Sequence, residues 1–192
     1  MNCKSLLFLD LSSLETQSVI NIGSMLNGCI SLKSKKLGNF KTATCTNFGG
    51  LFFFSSLDSI DLSNFVTSSA YSMVNMFSEC TSLVSLDLSN FRTGILMALN
   101  GMLQDYTNLK YLDISNFEIT KANIAIIISF QAVKNKDIYF KNFKEGSGNT
   151  FLFIFYGVPD DLTYVIDNIN NMPTILEELN NKNCSINGCS ED

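Results

Sequence analysis

Aliphatic and polar residues alternate over Leu86-Asp87-Leu88-Ser89, and the alternation returns at Ile60-Asp61-Leu62-Ser63 and at Leu112-Asp113-Ile114-Ser115. A period of two predicts a short strand, its leucines on one side and its Asp and Ser on the other. With the Asp as anchor, the pattern extends through Asp10, Lys36, Asp61, Asp87, Asp113, Tyr139 and Val165, at gaps of 26, 25, 26, 26, 26 and 26 residues. Between the strands lie return limbs in which Met73, Met76, Phe77 and Cys80 recur at helical spacing. Ile22, Met25, Leu26 and Cys29, then Phe48, Leu51, Phe52 and Ser55, then Leu99, Met102, Leu103 and Tyr106 fill the same slots. This spacing predicts a short helix in each limb.

One strand of this length cannot bury its apolar side alone, so the repeat implies stacking. Like residues then superpose: Leu9, Ile60, Leu86, Leu112 and Ile138 in one column, and Leu11, Leu37, Leu62, Leu88, Ile114, Phe140 and Ile166 in another. The next columns are Asn39, Asn64, Asn90, Asn116, Asn142 and Asn168, whose amides suit a turn, and Leu14, Phe40, Phe65, Phe91, Phe117, Phe143 and Ile169, an expected aromatic spine. A fixed period in the twenties with leucines at this spacing is the signature of a leucine-rich-repeat solenoid. The expectation is therefore an α/β solenoid of about seven units of 25–26 residues, with parallel strands on the concave face and short helices on the convex one. It spans residues 1–179 as one domain, and the polar segment 180–192 is a cap or tether. Unit six departs most: Asn135 stands where Leu83 and Leu109 stand in their units, and the runs Ile124 to Ile128 and Phe151 to Phe155 are unusually apolar.

With 46% hydrophobic and 16% charged residues and two prolines, the composition is that of a folded chain. The apolar stretches around Ile124 to Phe130 and Phe151 to Val158 fall short of the roughly 18 residues a membrane-spanning helix needs, so no membrane span is expected. The run after Lys4 is ended by Asp10 too early for a secretory core and is accounted for by the first repeat. Because the chain opens inside a repeat, it is expected to be a fragment or to lack a distinct N-terminal cap; a signal peptide would then lie outside it. Thirteen basic against 18 acidic residues, a net charge of −5 and no basic stripe argue against nucleic acid as a partner.

The chain has no histidine, no Gly-x-Ser-x-Gly and no glycine-rich phosphate loop, so no catalytic constellation, metal site or cofactor site is spelled out and no enzyme is expected. Stacked Asp61, Asp87 and Asp113 invite a Ca²⁺ reading. Two such charges at roughly 5 Å repel in water by only about 0.8 kcal/mol, which favours a solvated ladder instead. Cys29, Cys80 and Cys184 share a small buried slot and read as free packing thiols, whereas Cys3 and Cys45 stand alone. Cys184 and Cys189 either close a loop around Asn187-Gly188 or open a cysteine-rich segment. The candidate partner-binding face is Lys110, Tyr111, Lys136, Asp137, Tyr139 and Lys141, where tyrosines sit amid charges on the strand face of units five and six.

The wording Ser63-Asn64-Phe65-Val66-Thr67, Met73, Met76-Phe77, Cys80, Ser82-Leu83 and Leu86-Asp87-Leu88-Ser89-Asn90-Phe91 with Thr93 resembles the BspA-like leucine-rich-repeat surface proteins, in the branch also described as a mycoplasma-type lipoprotein repeat. The likeness is specific in units three and four; unit five keeps the strand but loses the Met-Phe-Cys limb, and the other units match by register and hydrophobicity. The resemblance implies a cell-surface or secreted protein whose repeats attach to a protein or cell-surface ligand without catalysis. The other expectation is a structural spacer within a larger surface protein.

Overall fold

The tetrapeptides of units four and five place their neighbours 26 residues away, and the chain uses that interval as a pairing rule; the expected strand at Ile60-Asp61-Leu62-Ser63 does not form. The computed structural model describes residues 3–32, 34–37, 40–120, 128–130, 137–146, 163–166, 173–180 and 185–186. In chain order its elements are β1 (Phe8–Asp10), β2 (Ser34–Lys36), β3 (Ser85–Asp87), β4 (Leu103–Tyr106), β5 (Tyr111–Asp113), β6 (Glu118–Ile119), β7 (Ile128–Phe130), β8 (Asp137–Tyr139), β9 (Lys144–Glu145), β10 (Thr163–Val165), α1 (Pro173–Asn180) and β11 (Ser185–Ile186). Every strand pair is parallel. Phe8 faces Ser34, Ser85 faces Tyr111, Tyr111 faces Asp137 and Asp137 faces Thr163, each 26 positions on. The largest sheet runs β11-β10-β8-β5-β3, and three two-stranded sheets pair β1 with β2, β4 with β7 and β6 with β9. The polar segment expected outside the repeats contributes β11, which lies in parallel beside β10.

The inward columns are buried as their spacing requires. Leu86, Leu88, Leu112, Ile114, Ile138 and Phe140 are inaccessible, and so are Phe40, Phe65, Phe91, Phe117 and Phe143. Each spine residue is set by one recurring turn: Phe65 N–H donates to Leu62 O and Phe91 N–H to Leu88 O, both at 2.9 Å. Phe40 and Phe65 stack with ring centroids 6.4 Å apart. Leu14 departs from the expected spine: it makes the same turn but is 51% exposed, because its repeat has a described neighbour on one side only. Ile169 lies outside the described residues.

No α-helix forms in the return limbs of units one to four, where helices were expected; α1, the one α-helix among the described residues, falls where the limb of unit seven begins. The limb side chains do point inward: Met73, Met76, Phe77 and Cys80 are buried, as are Leu99, Met102, Leu103 and Tyr106. Their backbone, however, is a ribbon of successive turns. Alternate N–H groups cross to the next repeat, Asn75 to Asn100 O at 3.0 Å, Phe77 to Met102 O at 3.2 Å and Glu79 to Gln104 O at 2.9 Å. The intervening ones close turns three residues back, Met76 to Met73 O and Ser78 to Asn75 O. Two left-handed residues per limb make this possible: Ser24 and Gly28, Gly50 and Phe54, Asn75 and Glu79, Gly101 and Asp105 all have positive φ. A helix of two turns would be marginal in water, whereas the ribbon gives each crossing amide a partner in the adjacent copy.

A buried hydroxyl joins the repeats at a further point. Thr67 Oγ1 accepts the Arg92 N–H at 2.8 Å and donates to Arg92 O at 3.1 Å, while Thr42 clasps Val66 and Thr93 clasps Glu118 in the same manner. Thr67→Val preserves the shape but strands an N–H and a carbonyl, so it should destabilise the chain by about 1–3 kcal/mol, read as a lower urea midpoint. Gly101 has φ 67, and a Cβ there would collide with the Asn75 amide. Gly101→Ala is expected to lose about 2 kcal/mol or more. Gly94→Ala, whose Cβ would meet only the movable end of Glu118, should stay within about 0.5 kcal/mol of the parent.

Candidate functional site

The exposed side of the five-stranded sheet carries two rows of residues set by the strand register. Ser85, Tyr111, Asp137 and Thr163 form one, and Asp87, Asp113, Tyr139 and Val165 the other. Tyr111 and Asp113 are two apart on β5 and share a face, so the Tyr111 hydroxyl reaches Asp113 Oδ2 at 3.3 Å. Diagonally across β5 and β8, the Tyr111 and Tyr139 rings approach to 5.1 Å between centroids at a tilt of 41°, a geometry that favours aromatic contact. Both rings are half-buried, and Asp137 beside them is exposed. Burial raises the Tyr111 phenol to about 12, and the Asp113 and Asp87 carboxylates add to the shift by opposing a second negative charge.

The stacked aspartates have a structural occupation. Asp10, Asp61 and Asp87 each accept the backbone N–H of the serine two residues on at 2.9 Å, and Asp113 does so at 2.8 Å. Each Asp thus caps the turn that follows it. For Asp61 the bonds from Ser63, backbone first and hydroxyl second, hold the carboxyl below its usual value. Among the described residues no group of three or more acidic or sulfur ligands is arranged to hold a metal ion.

Unit six breaks the capping rule at the candidate face. Tyr139 occupies the Asp position and Lys141 the Ser position, and the Lys141 N–H donates instead to Ser115 Oγ of the preceding repeat at 3.0 Å. Asn116 continues the bridging with its backbone N–H on Lys141 O at 2.7 Å. The asparagine column also works between repeats: Asn90 Nδ2 donates to Leu62 O and Phe65 O at 3.0 Å, and Asn116 Nδ2 to Ser89 O at 2.9 Å. Of the six sequence-derived candidates, Tyr111, Tyr139 and Asp137 come together, while Lys110 and Lys141 are exposed at the two ends of these strands. Lys136 lies outside the described residues.

Sequence reasoning missed an open polar groove on the turn-ribbon side, of about 440 Å³, lined by Asn21, Asn27, Asn47, Asn75 and Phe53 among others. Its signal was the pair Asn21-Ile22-Gly23 and Asn47-Phe48-Gly49, one repeat apart, in which each Asn Oδ1 accepts the Gly N–H at 2.9 Å.

The phenol environment can be tested directly. In the difference between the alkaline absorbance titrations of the parent and Tyr111→Phe, one phenol should ionise near about 12, and Asp113→Asn should lower that midpoint. Since the folded value lies above the ordinary 10.0, the contribution to stability is full below pH 10 and is lost as pH climbs through about 12. A midpoint at the ordinary value would contradict the geometry.

The model of the family described as Mycoplasma protein of unknown function, DUF285, matches residues 1–117 and again residues 53–147. The two matches start 52 residues apart (53 minus 1), or two 26-residue repeats, as a stack of equivalent units would produce. No curated protein and no solved structure matches the chain. The matched residues together cover 1–147 of 192, and the chain belongs to this DUF285 family.

Proposed function

We propose that the repeats form a leucine-rich-repeat solenoid of the BspA-like surface type, and that it is a non-catalytic recognition module whose strand face binds a protein or cell-surface ligand. The observation that carries this reading is the break at unit six. Asp and Ser close the turns of units three, four and five, so side chains there are committed to the fold. At Tyr139 and Lys141 they are not, and what replaces them is an aromatic and a cation, residue types that supply contact energy at interfaces. Tyr111 adds a second ring already held against the first, so little side-chain freedom remains to be lost on binding.

A location outside the cell follows from the resemblance to surface proteins. A spacer within a larger surface protein is the second reading, favoured by the recurring Asp and Thr positions, whose side chains are spent on turns and on stacking.

The test is binding of the labelled chain to cultured epithelial cells and to immobilised extracellular-matrix proteins. Saturable binding is expected on at least one of these surfaces. The double variant Tyr111→Ala, Tyr139→Ala should weaken it tenfold or more, as loss of a central aromatic pair does, while the chain still unfolds in urea as one cooperative transition. Absence of saturable binding throughout would leave the spacer reading.

A further inference from the structure

We infer that Cys3 and Cys29 are a disulfide-forming pair, a covalent clasp between the first two repeats that closes under oxidising conditions. The two residues are 26 positions apart, the interval at which β1 faces β2 residue for residue just downstream. They also open equivalent turns: Leu6 N–H donates to Cys3 O at 3.1 Å and Leu32 N–H to Cys29 O at 3.2 Å. Superposed turns in parallel neighbours bring Cα atoms to the separation a disulfide bridges, roughly 4.4–6.8 Å.

The same column shows how close its side chains come. Two repeats further on, Ser55 Oγ and Cys80 Sγ lie 3.4 Å apart in the buried slot that Cys29 occupies in its own unit. At the first pair, Cys3 lies close enough to Cys29 to act on its thiol. Forming the bond closes the two sulfurs to an S–S length of about 2.05 Å. Cys45 and Cys80 lack such a neighbour: their sulfurs are buried against Val19 O and Phe52 O.

Exposure divides the roles. Cys3 is exposed and meets the oxidant, while Cys29 is wholly buried, its thiol pushed up chiefly by that burial. With a small-molecule disulfide as oxidant, the Cys3 thiolate attacks one of its sulfurs and releases the first thiol. The Cys29 sulfur, losing its proton, then attacks Cys3 in the mixed disulfide and releases the second. Two cysteine thiols become one cystine, and one oxidant disulfide becomes two thiols.

The experiment incubates the full chain with oxidised glutathione, alkylates remaining thiols and maps peptides by mass spectrometry without reduction. A Cys3–Cys29 linked peptide is expected. Thermal melting should rise by about 5 °C or more on oxidation, and Cys3→Ser, a change at an exposed position, should abolish both effects. Stable glutathionylation of Cys3 with Cys29 alkylated only after unfolding would overturn the inference. So would pairing of Cys3 with Cys184 or Cys189, or a melting rise that persists in Cys3→Ser.

Discussion

The whole stack depends on satisfying backbone polar groups at a fixed interval of 25 or 26 residues. A parallel neighbour offers its carbonyls only at that offset, and a buried N–H left without one loses about 1–3 kcal/mol. Two side-chain devices hold the offset. Threonine hydroxyls both accept from and donate to the next repeat and asparagine amides reach back to the previous turn, while aspartates close the turn within their own repeat. The leucines and phenylalanines supply the driving force, but burial is non-directional and would tolerate a slip that these bonds do not.

This division explains what was legible in the sequence. The strands and the inward columns could be read because a period of two and a period of 26 admit few alternatives: Leu86, Leu112 and Ile138 could hardly lie anywhere but under one another. The return limbs were misread because apolar residues at i, i+3, i+4 and i+7 fit a helix and a ribbon of turns alike. What separates them is the column Ser24, Gly50, Asn75 and Gly101, four residues in the left-handed region at repeat spacing. Such residues are poor helix formers and good turn formers. Cys3, solitary by local sequence, stands one repeat before Cys29 and so belongs to the same column.

The candidate face was legible only as composition. That Tyr111 and Tyr139 would touch follows from a diagonal across two strands, which depends on register and on which way each ring turns. The strand pairing supplies the first, and the second reflects the Asp113 carboxylate that draws the Tyr111 hydroxyl along its own strand. Partial burial and two carboxylates raise the phenol to about 12, so its hydroxyl stays a donor further into the alkaline range than an ordinary tyrosine's would. An aromatic pair pinned beside acids differs from the polar rows of the earlier repeats, where Asp and Ser are turned inward upon their own turns.

A stacked fold can vary its surface only where the stack does not need the side chain. Replacing Asp and Ser by Tyr139 and Lys141 would ordinarily strand the turn amide of unit six, and that loss would select against the change. Ser115 removes the obstacle: its hydroxyl, 4% exposed, takes the Lys141 N–H across the repeat boundary. The cap has moved from the turn's own repeat to its neighbour. Two outward positions are thereby released from turn-capping duty while the backbone accounting stays closed.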